Sequence, residues 1–338
     1  MSEAATEFIS LDELRSAGRE LMSSEGGSLI DLGDGCGCIE FHSKMNTLSP
    51  DLVAFMVSAH ERCAQEFRAL VIGNQGRHFS AGYDLNFFLD SAAREDWNRL
   101  DRMLFSLQQA CMAIKYSPIP VVAAIFGYTL GGGVECELHC AMVQATEHLV
   151  IGLPEPSIGV LPAGGATKEL IARFSSEPKS TGDLFVPAKR AYDAIVTHGN
   201  QHSADSAKQI GLLRDTDGIS ADTTSLLSDA KRRALALADS GYAPPELRPI
   251  PVLGEEAYVR LSTQIDLRLA EERMSEHDAF IARQVAWVVS AARLTPRGTV
   301  SEQHLLDLER ESFIALMKTP QSQERMRYTL DTGKHLRN

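Results

Sequence analysis

The 338-residue sequence has no excess of basic residues. Its 33 Lys and Arg stand against 45 Asp and Glu, which gives a net charge of −12 at pH 7. Nucleic acids and anionic membranes are bound by basic surfaces, so this balance argues against both as general partners. One small basic spot for a phosphorylated ligand remains compatible with it.

The sequence also lacks a leader-like start and a continuous apolar run. Its beginning, MSEAATEFISLDELRS, has neither a basic n-region nor an apolar core, so we expect no signal peptide. The uncharged run 117–134 contains Pro118, Pro120 and four glycines, which predicts a strand, a loop and a helix start rather than a membrane span. The six cysteines lie in a long chain, several in apolar periodic segments, and are expected to be reduced thiols of a cytoplasmic protein.

Alternating strand and helix patterns predict an α/β fold. A hairpin is expected at the Gly/Asp turn 33–35. Amphipathic helices are predicted over 52–67 and 97–114 from apolar spacings of three and four. The remaining core segments, in chain order, are the strand ALVIG, the strand PVVAAIFG, the helix GGGVECELHCAMV, the strand LVIGLPE and the helix TKELIARF.

The composition of the sequence changes near residue 240, where GYAPPELRPIPVLGEE is rich in proline and glycine. Beyond it, DAFIARQVAWVVSAARL and EQHLLDLERESFIALM have amphipathic helical patterns. We therefore predict a core over 1–240 and a helical C-terminal region over 241–338. Its apolar faces should cover the core or a neighbouring subunit.

A glycine triplet, Gly131–Gly133, ends one predicted strand and begins a helix. Backbone N–H groups at a helix start lack an internal partner, and the helix dipole adds positive character there. Glycines let a ligand approach that backbone, which suits a carbonyl oxygen that gains negative charge. Tight strand–helix packing would explain the triplet equally well. Ala81 and Gly82, in GRHFSAGYDL, could supply a second donor.

Two glutamates stand in mostly apolar surroundings near these glycines. Glu135 is in the first turn of the predicted helix, and Glu155 lies between Pro154 and Pro156. Two carboxylates facing one apolar cleft can hold a water or share a proton, one as base and the other as acid. The alternative is that backbone N–H groups satisfy each of them.

Four neighbouring positions have simpler interpretations. Glu137 should project away from Glu135 and be solvated or paired. Cys136, His139 and Cys140 have i, i+3, i+4 spacing on an apolar helix, without a distant fourth ligand, which favours core packing over a metal site.

The segments FSAGYDL, TLGGGVE and IGLPEPSIGVLPAGGATKEL resemble the enoyl-CoA hydratase (crotonase) superfamily. Further segments, among them LIDLGDG, LVIGNQG, LLDLERESFIALM and QERMRYTLDTGKHLRN, are similar to the C-terminal hydratase module of bacterial bifunctional 3-hydroxyacyl-CoA dehydrogenase/enoyl-CoA hydratases. The resemblance runs from about Phe8 to the end of the chain.

This resemblance implies a spiral of ββα units, a coenzyme A thioester substrate and no other cofactor or metal. It implies an oxyanion hole from the N–H groups of Ala81 and Gly132, and catalysis by Glu135 and Glu155. It implies a homo-oligomer, with a trimer favoured, and a separate 3-hydroxyacyl-CoA dehydrogenase as a conceivable partner. The positions it places at the substrate are Lys44 (near the CoA arm), Gly82, Tyr83, Gly131, Gly133 and Pro154.

The sequence departs from the family pattern at several points. No G-x-G-x-x-G fingerprint follows an N-terminal strand, so we expect no NAD site. The usual GGGG or GAGG is AGGA at 163–166, and Tyr83 replaces a small residue. A phenol there would narrow the pocket or add a hydrogen bond, which leaves the acyl group open.

The leading interpretation is a hydratase that adds water to a 2-enoyl-CoA. One alternative is a double-bond isomerase, or an acyl-carrier-protein thioester dehydratase/hydrolase of a biosynthetic pathway. Another is a non-catalytic partner that retains the fold.

Overall fold

The computed structural model describes residues 8–177, 182–291 and 297–338. The strands are β1 (Glu20–Ser23), β2 (Gly27–Gly33), β3 (Cys36–Phe41), β4 (Ala69–Gly73), β5 (Val121–Leu130), β6 (Met142–Gly152), β7 (Gly218–Ser220), β8 (Ile250–Val252) and β9 (Gly298–Val300). The α-helices are α1 (Leu11–Ser16), α2 (Pro50–Glu66), α3 (Leu85–Ala93), α4 (Trp97–Lys115), α5 (Gly132–Leu138), α6 (Ala166–Ser176), α7 (Phe185–Val196), α8 (Ala204–Ile210), α9 (Thr223–Asp239), α10 (Glu255–Ala270), α11 (Glu276–Ser290), α12 (Glu302–Met317) and α13 (Pro320–Thr332). Short 3-10 helices span Lys44–Asn46 and Glu155–Ile158.

Strands β1 to β7 form one mixed sheet in sequence order. The first three strands pair antiparallel, and the predicted hairpin joins β2 to β3 through Asp34 and Gly35, which both have positive φ. From β3 to β7 every neighbouring pair is parallel. Parallel neighbours need a crossover connection, which helices such as α2 and α4 supply. The predicted α/β class is confirmed.

The carboxyl ends of three parallel strands bring the predicted site together. Strand β4 leads to the segment containing Ala81 and Gly82, β5 ends directly before the glycine triplet, and β6 ends three residues before Glu155. Crevices at the carboxyl ends of parallel strands are the usual ligand sites of α/β sheets. The topology therefore explains why segments so far apart in sequence meet.

One predicted helix is shorter than expected. The pattern GGGVECELHCAMV predicted a helix through Val143, but α5 ends at Leu138 and β6 begins at Met142. Met142 and Val143 pair with Val122 and Ala123 of β5, so sheet pairing overrides the local helical pattern.

The helical C-terminal region packs against the core of its own chain. Helix α12 contacts α4 and α6, and α13 contacts α3 and the 3-10 helix that begins at Glu155. Residues 241–249, between α9 and β8, form no helix or strand. The division at residue 240, with a C-terminal region that covers the core or a neighbouring subunit, stays a prediction. None of the helices in the described ranges is both long enough and apolar enough to span a bilayer.

Candidate active site

Glu135 lies in the first turn of α5 and is fully buried. Its Oε1 accepts the N–H groups of Gly164 (2.6 Å) and Ala166 (3.2 Å), at the amino end of α6. Those groups have no partner inside their helix, and the helix dipole favours negative charge there. Glu135 is therefore a buried carboxyl whose ionised form is supported by backbone donors.

Tyr83 supplies a third donor to this carboxyl. Its hydroxyl donates to Glu135 Oε2, and its ring lies 5.2 Å from that of Phe88, between centroids. A Cβ on Gly132 would lie 3.4 Å from the Tyr83 ring, so the ring fills the space beside the glycine triplet. The phenol therefore adds a hydrogen bond and also occupies the space beside Gly132. Burial and the two neighbouring glutamates raise the pKa of Tyr83, which keeps it a neutral donor.

Glu155 begins the short 3-10 helix after β6 and is 1% exposed. Neither of its carboxyl oxygens has a hydrogen-bond partner among the described residues. Gly131 lies against it: a Cβ on that residue would be 2.8 Å from Glu155 Oε1, and its φ is +51°. Only glycine fits there, so the triplet begins in direct contact with the second carboxyl.

The two carboxyls have unequal surroundings. Burial raises the pKa of both. For Glu135, the Tyr83 hydroxyl and the amides of residues 164–166 act against that increase. For Glu155, the charge of Glu135 adds to it and holds the pKa well above its usual range. Glu135 is thus the easier of the pair to ionise.

The glycines of the two predicted donor segments meet. A Cβ on Gly82, whose φ is +94°, would lie 3.4 Å from the Gly132 nitrogen. Gly132 is the first residue of α5, so its N–H has no acceptor within the helix. A Cβ on Gly133 would lie 2.9 Å from Cβ of Ser80. Close packing therefore explains Gly133, whereas Gly132 combines close packing with an available donor.

The N–H of Ala81, the second predicted oxyanion donor, already has a hydrogen-bond acceptor within the protein. The Ala81 N–H donates to the carbonyl oxygen of Met45 (3.0 Å). Met45 and Asn46 both have positive φ in the short 3-10 helix that starts at the exposed Lys44. An oxyanion role for Ala81 stays a prediction that requires this loop to move. The proximity of Lys44 to coenzyme A stays one as well. Pro154 lies directly before the Glu155 helix and fixes its start.

Several polar residues differ from their sequence-based interpretation or escaped it. Glu137 is fully buried rather than solvated, and its carboxyl has no hydrogen-bond partner in the part of the chain that the structure describes. Burial raises its pKa to about 8. His139 is buried as expected, but its Nδ1 also lies 2.6 Å from the carbonyl oxygen of Glu135.

Helix α12 contributes two buried carboxyls that sequence analysis missed, Glu302 and Glu309. They share the apolar face of the helix with Leu305 and Leu306. A charge at an apolar-face position was the available signal, because such a side chain needs a buried partner.

Comparison with known proteins identifies the family of this chain. A model of the enoyl-CoA hydratase/isomerase family matches residues 33–241, and the chain belongs to that family. It is similar to a probable 3-hydroxyacyl-CoA dehydrogenase of Bacillus subtilis strain 168, at 37% identity over 331 residues. These residues are 98% of this chain but only 41% of that protein. A probable enoyl-CoA hydratase of the same strain is 34% identical over 127 residues, 37% of this chain and 48% of that protein.

Solved structures agree in fold. The crystal structure of an enoyl-CoA hydratase from Bacillus halodurans aligns with a TM-score of 0.60 at 18% identity, over 90% of this chain and 99% of that one. A carnitinyl-CoA dehydratase from Mycobacterium thermoresistibile aligns with a TM-score of 0.65 at 20% identity, over 91% of this chain and 90% of that one. The chain has the crotonase-type fold.

Proposed function

We propose that this chain catalyses the reversible addition of water to a 2-enoyl-CoA thioester, giving the 3-hydroxyacyl-CoA. The observation that carries the proposal is the unequal pair of buried carboxyls. Glu135 accepts hydrogen bonds from two amides and a phenol, whereas the oxygens of Glu155 have no hydrogen-bond partner among the residues that the structure describes. Acid–base catalysis of hydration needs one group that takes a proton and one that gives it.

We assign the roles of base and acid from the surroundings of the two carboxyls. Glu135, supported as an anion, takes a proton from the water that attacks C3. Its Oε2 can accept from that water and from Tyr83 together, because a carboxylate oxygen offers two lone pairs. Glu155 gives its proton to C2. Between these steps the thioester oxygen carries negative charge, for which the N–H of Gly132, and that of Ala81 after movement of the Met45 loop, are the proposed donors.

Substitution of each glutamate by glutamine tests the proposal, because glutamine keeps the shape and removes the proton transfer. Glu135→Gln and Glu155→Gln should each lower hydration by about 10²–10⁴-fold. The double variant should be hardly slower than either single one, since groups that act as a unit are non-additive. The assay uses a panel of enoyl-CoA and enoyl-carrier-protein thioesters, with loss of the conjugated absorbance followed by mass analysis.

Product mass separates the candidate reactions. Hydration adds one water to the thioester, whereas isomerisation leaves the mass unchanged and needs only one carboxyl to move a proton between C2 and C4. A product of unchanged mass, or wild-type rates for Glu155→Gln, would reject hydration in favour of the isomerase. Absence of turnover with every thioester would favour a non-catalytic partner.

A further inference from the structure

The amino end of α6 faces two buried carboxyls. The N–H groups of Gly164 and Ala166 donate to Glu135, and the N–H of Lys168 donates to Glu309 Oε1 (2.9 Å). Two carboxyls thus divide the donors of one helix start between them. Glu135 belongs to the α/β core, but Glu309 comes from α12, outside the residues 33–241 matched by the family model.

Glu309 is held firmly in this position. It is fully buried, and its other oxygen, Oε2, has no hydrogen-bond partner within the described ranges. Gln108 of α4 links the two sides, because its Nε2 donates to the carbonyl oxygens of Ala163 (2.8 Å) and Leu306 (2.9 Å). The chain just before Gly164 is therefore fixed to the turn of α12 that precedes Glu309.

A second contact of α12 reaches the other side of Glu135. Glu302 accepts from Lys115 (2.9 Å) and lies 3.1 Å from the Lys168 ammonium, which contacts His139 Nε2 at 2.8 Å. His139 Nδ1 in turn contacts the backbone carbonyl of Glu135. Helix α12 is therefore connected to Glu135 in two ways: through Lys168 and His139 to its backbone carbonyl, and through the amino end of α6 to its carboxyl.

The charges around Glu309 do not neutralise it. Lys115 and Lys168 both pair with Glu169 and Glu302, so these four side chains balance each other. Burial first, and then the charge of Glu135, raise the pKa of Glu309 to about 8. The titratable and charged groups in this surrounding are Cys111, Lys115 and Tyr116 of α4, Glu135 and His139 of α5, Lys168 and Glu169 of α6, Glu302 of α12, and Tyr83 and Glu155 across the cleft.

We propose that Glu309 is a positioning residue for Glu135: it fixes the amino end of α6, whose N–H groups hold Glu135 and favour its ionised form. This inference rests on the proposed function for its kinetic consequences, but not for the placement of Glu309. In this proposal the helical C-terminal region contributes a residue that positions the proposed catalytic base.

The test compares Glu309→Ala with Glu309→Gln, and Glu311→Ala at an exposed position of the same helix is the control. In Glu309→Gln the amide oxygen can still accept the Lys168 N–H, so the plateau kcat should change by less than about threefold. Because the pKa of Glu309 is about 8 and is raised by the charge of Glu135, Glu309 is uncharged where Glu135 ionises, so the acid limb of kcat/KM should stay in place in this variant. Glu311→Ala should leave the profile in place as well.

Glu309→Ala removes the acceptor and leaves the buried Lys168 N–H unpaired. The amides of Gly164 and Ala166 should then support the Glu135 anion less well, so kcat should fall about tenfold or more and the acid limb of kcat/KM should move to higher pH. An acid limb of Glu309→Ala that coincides with the wild type would overturn the inference even if this variant is slow, because the role would then be structural only.

A measurement without substrate separates this inference from the proposed function. Infrared titration of the buried carboxyl bands should show a higher midpoint for Glu135 in Glu309→Ala than in the wild type, Glu309→Gln or Glu311→Ala. Unchanged midpoints would reject the inference whatever the reaction is. Inactivity of the wild type on the thioester panel, with shifted midpoints, would reject only the proposed function.

Discussion

Tyr83 is a residue at which this chain departs from the expected family pattern. Its hydroxyl supports the anion of Glu135 and its ring occupies space beside Gly132. The same side chain thus influences the acidity of the proposed base and the space beside the glycine triplet.

Tyr83→Phe should make Glu135 a weaker catalyst at neutral pH. Burial raises the pKa of Glu135, and the Tyr83 hydroxyl opposes that increase. Without the hydroxyl the pKa rises further, so the acid limb of kcat/KM should move to higher pH. A hydrogen bond to a charged group contributes about 1.5–3 kcal/mol, so kcat/KM at pH 7 should fall about tenfold or more. Tyr128→Phe, at a partly exposed ring stacked on His78, is the matched control. An unmoved acid limb would contradict this account.

At the scale of elements, the contact between α13 and the Glu155 helix is tight. A Cβ on Gly159 would lie 2.7 Å from Ser322 Cα, and the Ser322 hydroxyl donates to the Gly159 carbonyl oxygen. Gly159 also ends the 3-10 helix with φ +97°. Helix α13 therefore holds the segment that carries the proposed acid.

Gly159→Ala should destabilise the protein and lower its activity. The control is Gly199→Ala, because Gly199 also has positive φ (+61°) but nothing lies within 4 Å of its added Cβ. The clash with Ser322 should make Gly159→Ala less stable than the control by about 1–3 kcal/mol in urea unfolding. Its kcat should also fall, since Glu155 begins the same short helix. Equal stability of the two variants would mean that α13 can move aside freely.

The elements show which features could be predicted from the sequence. Hydrophobic periodicity predicted α2 and α4 closely, and motif spacing brought Glu135, Glu155 and the glycines to one cleft. Three features depend on distant partners: the early end of α5, the engaged Ala81 amide and the position of Glu309. The local sequence pattern contains no information about a partner strand, about the Met45 carbonyl or about an amide 141 positions away.

For the whole molecule, the C-terminal region and the core form one packed body. The apolar faces predicted for α11 and α12 are buried at 0–1% exposure, including Ile281, Val285, Leu305 and Leu306. A homo-oligomer, with a trimer favoured, stays a prediction that sedimentation can test.

A chain that ends at Gly254 should lose solubility and activity. It lacks α10–α13, so apolar surface of α4, α6 and α7 becomes exposed, and Glu302, Glu309 and Ser322 are missing from around the cleft. Solubility, circular dichroism, sedimentation and the thioester assay measure the outcome. A truncated chain that is folded, equally assembled and fully active would show that the C-terminal region is dispensable.

The hydrogen bond from Lys168 to Glu309 also affects when the site is completed during synthesis. The two residues are 141 positions apart, and Gln108 is 198 positions from Leu306. At about 5–20 residues per second, a ribosome needs on the order of ten seconds to add Glu309 after Lys168. During that interval Glu135, Glu155 and the glycines are already in the nascent chain, but α12 has not yet been made. A growing polypeptide should therefore be inactive until α12 has left the ribosome.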